Sequence, residues 1–128
     1  MTARPDWLLQ PIAHRGLHDA ARGVIENTPS AFEAALRAGY AIETDLRAAG
    51  CGTPMVFHDA TLERLTHGAG PLAAQGAGAL GAVRFHDTPD RMPTLAALLE
   101  QVDGRVPLFL EVKSDFTDQT AFAARIAA

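Results

Sequence analysis

In the run "IETDL", residues 42–46, Glu43 and Asp45 alternate with Ile42, Thr44 and Leu46. On an extended strand this period of two sets both acids on one face. Two carboxylates roughly 6 Å apart repel by about 3 kcal/mol at an effective dielectric near 20, so such a face calls for a cation or for water. Glu111, in "LFLEVK", stands on the same strand face as Lys113. Three carboxylates without a thiolate form a hard, oxygen-only donor set that suits Mg²⁺ or Ca²⁺ better than Zn²⁺ or copper. Ion pairs with Lys113 or Arg15 would also neutralise the acids with no metal, and the spacing fits both arrangements.

Two histidines join them. His14 in "IAHR" and His58 in "VFHD" each close a short apolar run, and imidazole titrates near physiological pH, as acid–base catalysis requires. Arg15 offers a planar fork for paired anionic oxygens and Lys113 a compact positive charge. With a divalent cation these groups describe a phosphate site and metal-assisted phosphoryl chemistry. His18 follows "HRG" closely enough to reach the same place, whereas His67 and His86 read as surface residues. Cys51, in "AGCGT", is the one cysteine and has no neighbouring base, so it reads as a turn thiol rather than a nucleophile.

The elements that must carry these groups follow the alternation of strand and helix expected of a parallel α/β sheet. Strands are predicted at 11–16, 41–48, 53–59 and 106–114, each apolar at first and ionisable at its end. In such sheets the carboxyl ends of the strands share one rim, which would gather residues distant in sequence. In the last strand Leu108, Leu110 and Val112 are expected to face helices, with Phe109, Glu111 and Lys113 opposite. One helix is predicted in "NTPSAFEAALRAG", with Thr28 as N-cap, Pro29 at the first position, a stripe of Phe32, Ala35 and Leu36, and Gly39 as terminator. A second lies in "PTLAALLEQVDG", capped by Thr94, with Leu95, Leu98, Leu99 and Val102 on one face and Gly104 at its end. A third begins in "TDQTAFAARIAA". Residues 61–92, rich in Gly and Ala, read as a short helical or irregular insertion within one domain of 1–128.

Composition agrees with a single globular domain: 128 residues, 48% hydrophobic and 20% charged. A net charge of −4 with no basic stripe gives nucleic acid no electrostatic footprint. The start, "MTARPDWLLQP", lacks the apolar run of a signal peptide, and no stretch approaches the roughly 20 apolar residues of a membrane span. The expected location is cytoplasmic.

Taken in order, "HRG", "ENTPSAF", "ETD", "VFHD", "LERLTHGAG", "MPTL" and "LEVK" resemble the glycerophosphodiester phosphodiesterase family from about Ile12 to Ser114. Each motif is short; the ordered set is specific. The resemblance implies a TIM-type (β/α)₈ barrel and hydrolysis of glycerophosphodiesters to glycerol 3-phosphate and an alcohol, a reaction of lipid and glycerol metabolism. By motif it implies His14 and His58 as the acid–base pair, without saying which is the acid. It implies Glu43, Asp45 and Glu111 as metal ligands, and Arg15 and Lys113 as phosphate contacts. Two departures remove none of these: "CG" stands where members carry Asp-Gly, and "RLTHG" replaces the usual "RTTxG".

Length is the larger departure. A complete barrel needs about 250 residues and eight strands, and only four strands are legible here. Three readings follow: a shortened chain comprising the amino-terminal half of the barrel, a half-barrel that self-associates through its open edges, or an altered fold that covers the gap. The first is favoured, because no helix-stop residue precedes Ala128. Rival functions are a non-catalytic phosphate- or metal-binding module and a phosphodiesterase acting on lysophospholipids.

Overall fold

The computed structural model describes residues 10–113 and 120–127. Its strands are β1 (Ile12–His14), β2 (Ala41–Ala48), β3 (Pro54–Val56) and β4 (Leu108–Val112). Its helices are α1 (Pro29–Ala38), α2 (Ala77–Ala82), α3 (Leu95–Val102) and α4 (Thr120–Ala127). Ser114, the expected end of the last strand, lies outside the described residues.

The sheet is organised around β2. One edge of β2 pairs in parallel with β1, His14 opposite Glu43, and the other pairs in parallel with β4, Asp45 opposite Glu111. Leu46 pairs with Val112 on one side and Val56 on the other, so β3 takes the edge that β1 leaves free. The expectation of a third parallel strand over 53–59 is corrected here: β3 is short and runs antiparallel to β2. Only residues 49–53 separate the two strands, whereas a parallel crossover needs roughly a dozen residues or more. The hairpin turns through Gly52, whose φ is +88°.

Sequence explains the helices with three adjustments, one being that the left-handed residue closing α3 is Asp103 (φ +49°) rather than the expected Gly104. Pro29 opens α1, Ala31, Phe32 and Ala35 are buried, and Gly39 closes it in the left-handed conformation. Thr28 occupies the N-cap, yet its hydroxyl donates to the Ile25 carbonyl (2.7 Å) rather than accepting from the helix. The Asp90 carboxylate instead accepts the Ser30 N–H at 3.0 Å. In α3 the Thr94 hydroxyl does accept from Ala97 N–H (3.1 Å). Leu95, Leu98 and Val102 are buried there, while Leu99, expected beside them, is half exposed and looks outward. Val112, expected against helices, is also largely exposed.

Two cores result. Phe32, Ile42, Leu46, Val56, Leu98, Val102 and Phe122 pack between the sheet and the helices. Ile25, Met55, Phe57, Leu62, Leu72, Leu80, Phe85 and Met92 form a second cluster beneath residues 61–92. That segment includes a 3₁₀ turn at Leu72–Ala74 and α2, and Phe85 meets Phe57 edge to face at 6.2 Å. Among the described residues no helix is long and apolar enough to cross a membrane.

Where β1 turns toward α1, Gly16 has φ +78°, and a Cβ there would lie 2.8 Å from Ala31 Cβ and 2.9 Å from the Ala31 carbonyl carbon. Both the backbone conformation and the contact with α1 require glycine. Gly16→Ala should therefore lower unfolding free energy by roughly 1–3 kcal/mol, measured by urea denaturation; a variant as stable as the parent would refute this packing.

Candidate active site

β2 carries Glu43 and Asp45 to one face, and the parallel register brings His14 beside the first and Glu111 beside the second. One carboxylate oxygen from each of Glu43, Asp45 and Glu111 lies within 4.8 Å of the other two. The acidic trio expected from sequence is thus gathered in one place. It is graded in burial, with Asp45 only 1% exposed, Glu43 partly buried and Glu111 exposed.

The cations expected to compensate are also present. Arg15 Nε stands 3.6 Å from Asp45 Oδ2, and Lys113 Nζ lies 3.7 Å from Asp45 Oδ1 and 2.9 Å from Glu111 Oε1. Arg15 has φ +60°, and its backbone N–H donates to the Glu43 carbonyl (2.8 Å) and reaches Glu43 Oε2 (3.2 Å). Lys113 N–H donates to the Leu46 carbonyl, which fixes where its chain leaves β4. The pairing with Lys113 is too long for a hydrogen bond: Asp45 Oδ1 is buried and accepts none among the described residues. Burial first, and then the charge of Asp45, raise the Glu43 carboxyl above its ordinary value. Glu111 is held below the ordinary value by its hydrogen bond from Lys113.

His14 Nε2 lies 3.6 Å from Glu43 Oε2, its side chain two-thirds exposed. His58 arrives differently from the expected parallel strand end. Beyond β3 the chain runs back along β2, Phe57 N–H donating to the Asp45 carbonyl and Arg47 Nε to the His58 carbonyl (2.7 Å). His58 Nδ1 is 2.8 Å from Asp59 Oδ1. A carboxylate only accepts, so Nδ1 is the donor of this pair, and in the neutral ring Nε2 is then the acceptor.

Several contributors had no role assigned from sequence. Asn27, at φ +56° and buried, donates from Nδ2 to Asp45 Oδ2 (3.1 Å) and accepts the Thr44 hydroxyl (2.7 Å). Buried Glu26 is held between Arg15 and Arg64, each in contact with one of its oxygens. Burial alone would raise the Glu26 carboxyl, but hydrogen bonds from Arg15 and Arg64 outweigh it and hold it low. Arg64 also grips Asp59, Nε to Oδ2 at 2.7 Å and Nη2 to Oδ1 at 3.0 Å, which with His58 lowers that carboxyl to about 2. The signal for these residues lay in "EN" and "HDATLER", charged groups clustered in connecting segments. His18 lines a recess with Arg15, Glu26 and Arg64, as its position suggested. His67 and His86 stack edge to face at 4.3 Å in the 61–92 segment.

Comparison with known proteins gives this geometry a lineage. Residues 14–120 match the Glycerophosphoryl diester phosphodiesterase family. Over 121 residues the chain is 34% identical to glycerophosphodiester phosphodiesterase 1 of Bos taurus, covering 86% of this chain and 35% of that protein. A crystal structure of glycerophosphodiester phosphodiesterase from Agrobacterium tumefaciens superposes with a TM-score of 0.76 at 31% identity, covering 92% of this chain and 52% of that one. An Oleispira antarctica phosphodiesterase in complex with the product sn-glycerol-3-phosphate superposes with a TM-score of 0.79 at 27% identity, covering 91% and 49%. The chain thus spans about a third of the length of the curated relatives it matches and about half that of these solved structures. With β1, β2 and β4 parallel, His14 closing β1 and Glu43, Asp45 and Glu111 carried on β2 and β4, this chain belongs to the glycerophosphoryl diester phosphodiesterase family and forms part of its TIM-type barrel.

Proposed function

We propose that this chain provides the metal- and phosphate-binding part of an enzyme that hydrolyses glycerophosphodiesters to glycerol 3-phosphate and an alcohol. The observation that carries the reading is the convergence of Glu43, Asp45 and Glu111 within 4.8 Å. The donor set is all oxygen, and buried Asp45 Oδ1 lacks a hydrogen-bond partner among the described residues, so the residues fit a hard divalent cation, Mg²⁺ or Ca²⁺. When bound, such an ion offsets charge on the phosphate oxygens.

The chain's own groups divide the remaining work. Arg15 and Lys113 orient the phosphodiester and stabilise the charge that develops on it. His58, with Nδ1–H directed to Asp59, accepts at Nε2 a proton of the water whose oxygen attacks phosphorus. His14, exposed beside Glu43, delivers a proton to the leaving alkoxide. Residues 61–92 belong to the same domain and bring Arg64 to His58 through Asp59. A second reading is a binding module without turnover, for which the acidic trio with Arg15 and Lys113 would suffice.

Two outcomes are expected of the hydrolase and one of its rival. Turnover of glycerophosphocholine, glycerophosphoglycerol or a lysophospholipid should vanish with chelator and return with Mg²⁺ or Ca²⁺. Metal binding with no turnover of any of the three would favour the binding module. His14→Ala or His58→Ala should lower kcat by about 10²-fold or more with metal affinity unchanged, and unaltered kcat would end their assignment.

Calorimetry provides an independent check. Because burial and Asp45 make Glu43 keep its proton to a higher pH than an ordinary glutamate, cation binding at a pH where that proton is still held displaces it. Affinity for Ca²⁺ should therefore rise with pH just above the usual carboxylate range, with a proton released to the buffer. Glu43→Gln should abolish the release and weaken binding, and a proton release that survives the substitution would assign the effect elsewhere.

A further inference from the structure

We infer that Arg64 is a positioning residue for His58: through a two-point grip on Asp59 it fixes which ring nitrogen accepts a proton, and through Glu26 it ties that histidine to Arg15. The inference rests on the reading of His58 as an acid–base group. It extends that reading to residues contributed by the segment after β3.

Asp59 follows His58 directly in the chain, and its carboxylate is partly open to solvent. On its own such a side chain would rotate freely between the imidazole and water. Arg64 removes that freedom. Its Nε and Nη2 meet Oδ2 and Oδ1 side by side at 2.7 and 3.0 Å, the fork geometry that fixes the plane of a carboxylate. Oδ1 is then presented to His58 Nδ1 at 2.8 Å. An oxygen held in this way accepts from Nδ1–H and excludes the alternative tautomer, in which a bare Nδ1 would face an anion.

Arg64 is in turn fixed from behind. Its Nη2 contacts Glu26 Oε1, and the other oxygen of Glu26 contacts Arg15 Nη1. Glu26 is buried, so this second anchor is less screened by water than the half-exposed Arg64 side chain alone would suggest. The continuous path His58–Asp59–Arg64–Glu26–Arg15 joins the group proposed to move a proton to the one proposed to hold the phosphate. Exposed ion pairs contribute little to stability, so a path of this length through a half-exposed arginine points to orientation rather than folding.

The test is the tautomer of His58, read from imidazole ¹⁵N shifts of the labelled chain at a pH where the ring is neutral. In the parent, Nδ1–H should dominate by roughly tenfold or more, as befits a hydrogen bond to a charged acceptor. Arg64→Gln should collapse that preference toward an even mixture while the rest of the spectrum keeps its dispersion. Arg64→Lys, which restores the charge without the fork, should fall between the two. A mixed population in the parent, or a dominant Nδ1–H form in Arg64→Gln, overturns the inference. Should Arg64→Gln fail to fold, Arg64→Lys gives the reading: a weakened preference supports the inference and an undiminished one overturns it. The result separates from the functional reading, because unaltered turnover in His58→Ala refutes that reading whatever the tautomer. Lost turnover in His58→Ala with an unshifted tautomer in Arg64→Gln refutes only the role of Arg64.

Discussion

Two like charges on one face of β2 are the constraint around which the described structure is arranged. Ile42 and Leu46 point into the core between sheet and helices, and that burial fixes β2 so that Glu43 and Asp45 face the opposite way. Register then decides everything beside them. A slip of one residue between β2 and β4 would part Asp45 from Glu111 and carry Glu111 to the wrong face, because side chains alternate along a strand. The same holds for His14 against Glu43 across β1.

The repulsion is offset unevenly. Asp45, the most buried of the acids, receives Asn27 and lies near both Arg15 and Lys113. Glu43 has the backbone N–H of Arg15 and the exposed ring of His14, and its carboxyl remains raised. The two compensations that the sequence left open, ion pairs and a hard cation, are therefore not exclusive. Ion pairs hold Asp45 in place, while one buried oxygen of that same residue accepts no hydrogen bond among the described residues.

Much of this was legible from residue order. Period-two alternation located β2 and β4 and set Glu43 and Asp45 on one face, the Thr-Pro start and Gly stop located α1, and the ionisable strand end located His14, whereas Glu43 and Asp45 lie within β2 rather than at its end. The direction of β3 was misread although its evidence was present, since a five-residue link between 49 and 53 leaves room only for a hairpin. Leu99 was misread because it lies at the margin of the apolar stripe of α3, where a small rotation exposes it. Asn27, Glu26 and Arg64 escaped for a different reason. Their partners are distant in sequence, and nothing in a loop's composition tells a buried acid from a solvated one. Thr28 shows the same limit on a smaller scale: the capping position was right, but the group that accepts the Ser30 N–H comes from Asp90.

That remote acceptor has a mechanical implication. Asp90 fastens the far end of the 61–92 layer to the first turn of α1, while Arg64 fastens its near end to Glu26, just upstream of the same helix. A layer stapled at two points, with Phe85 wedged against Phe57 between them, behaves as a fixed wall. Swinging it aside as a flap would mean parting both contacts together, whereas Glu111, on the opposite edge of β2, is exposed among the described residues.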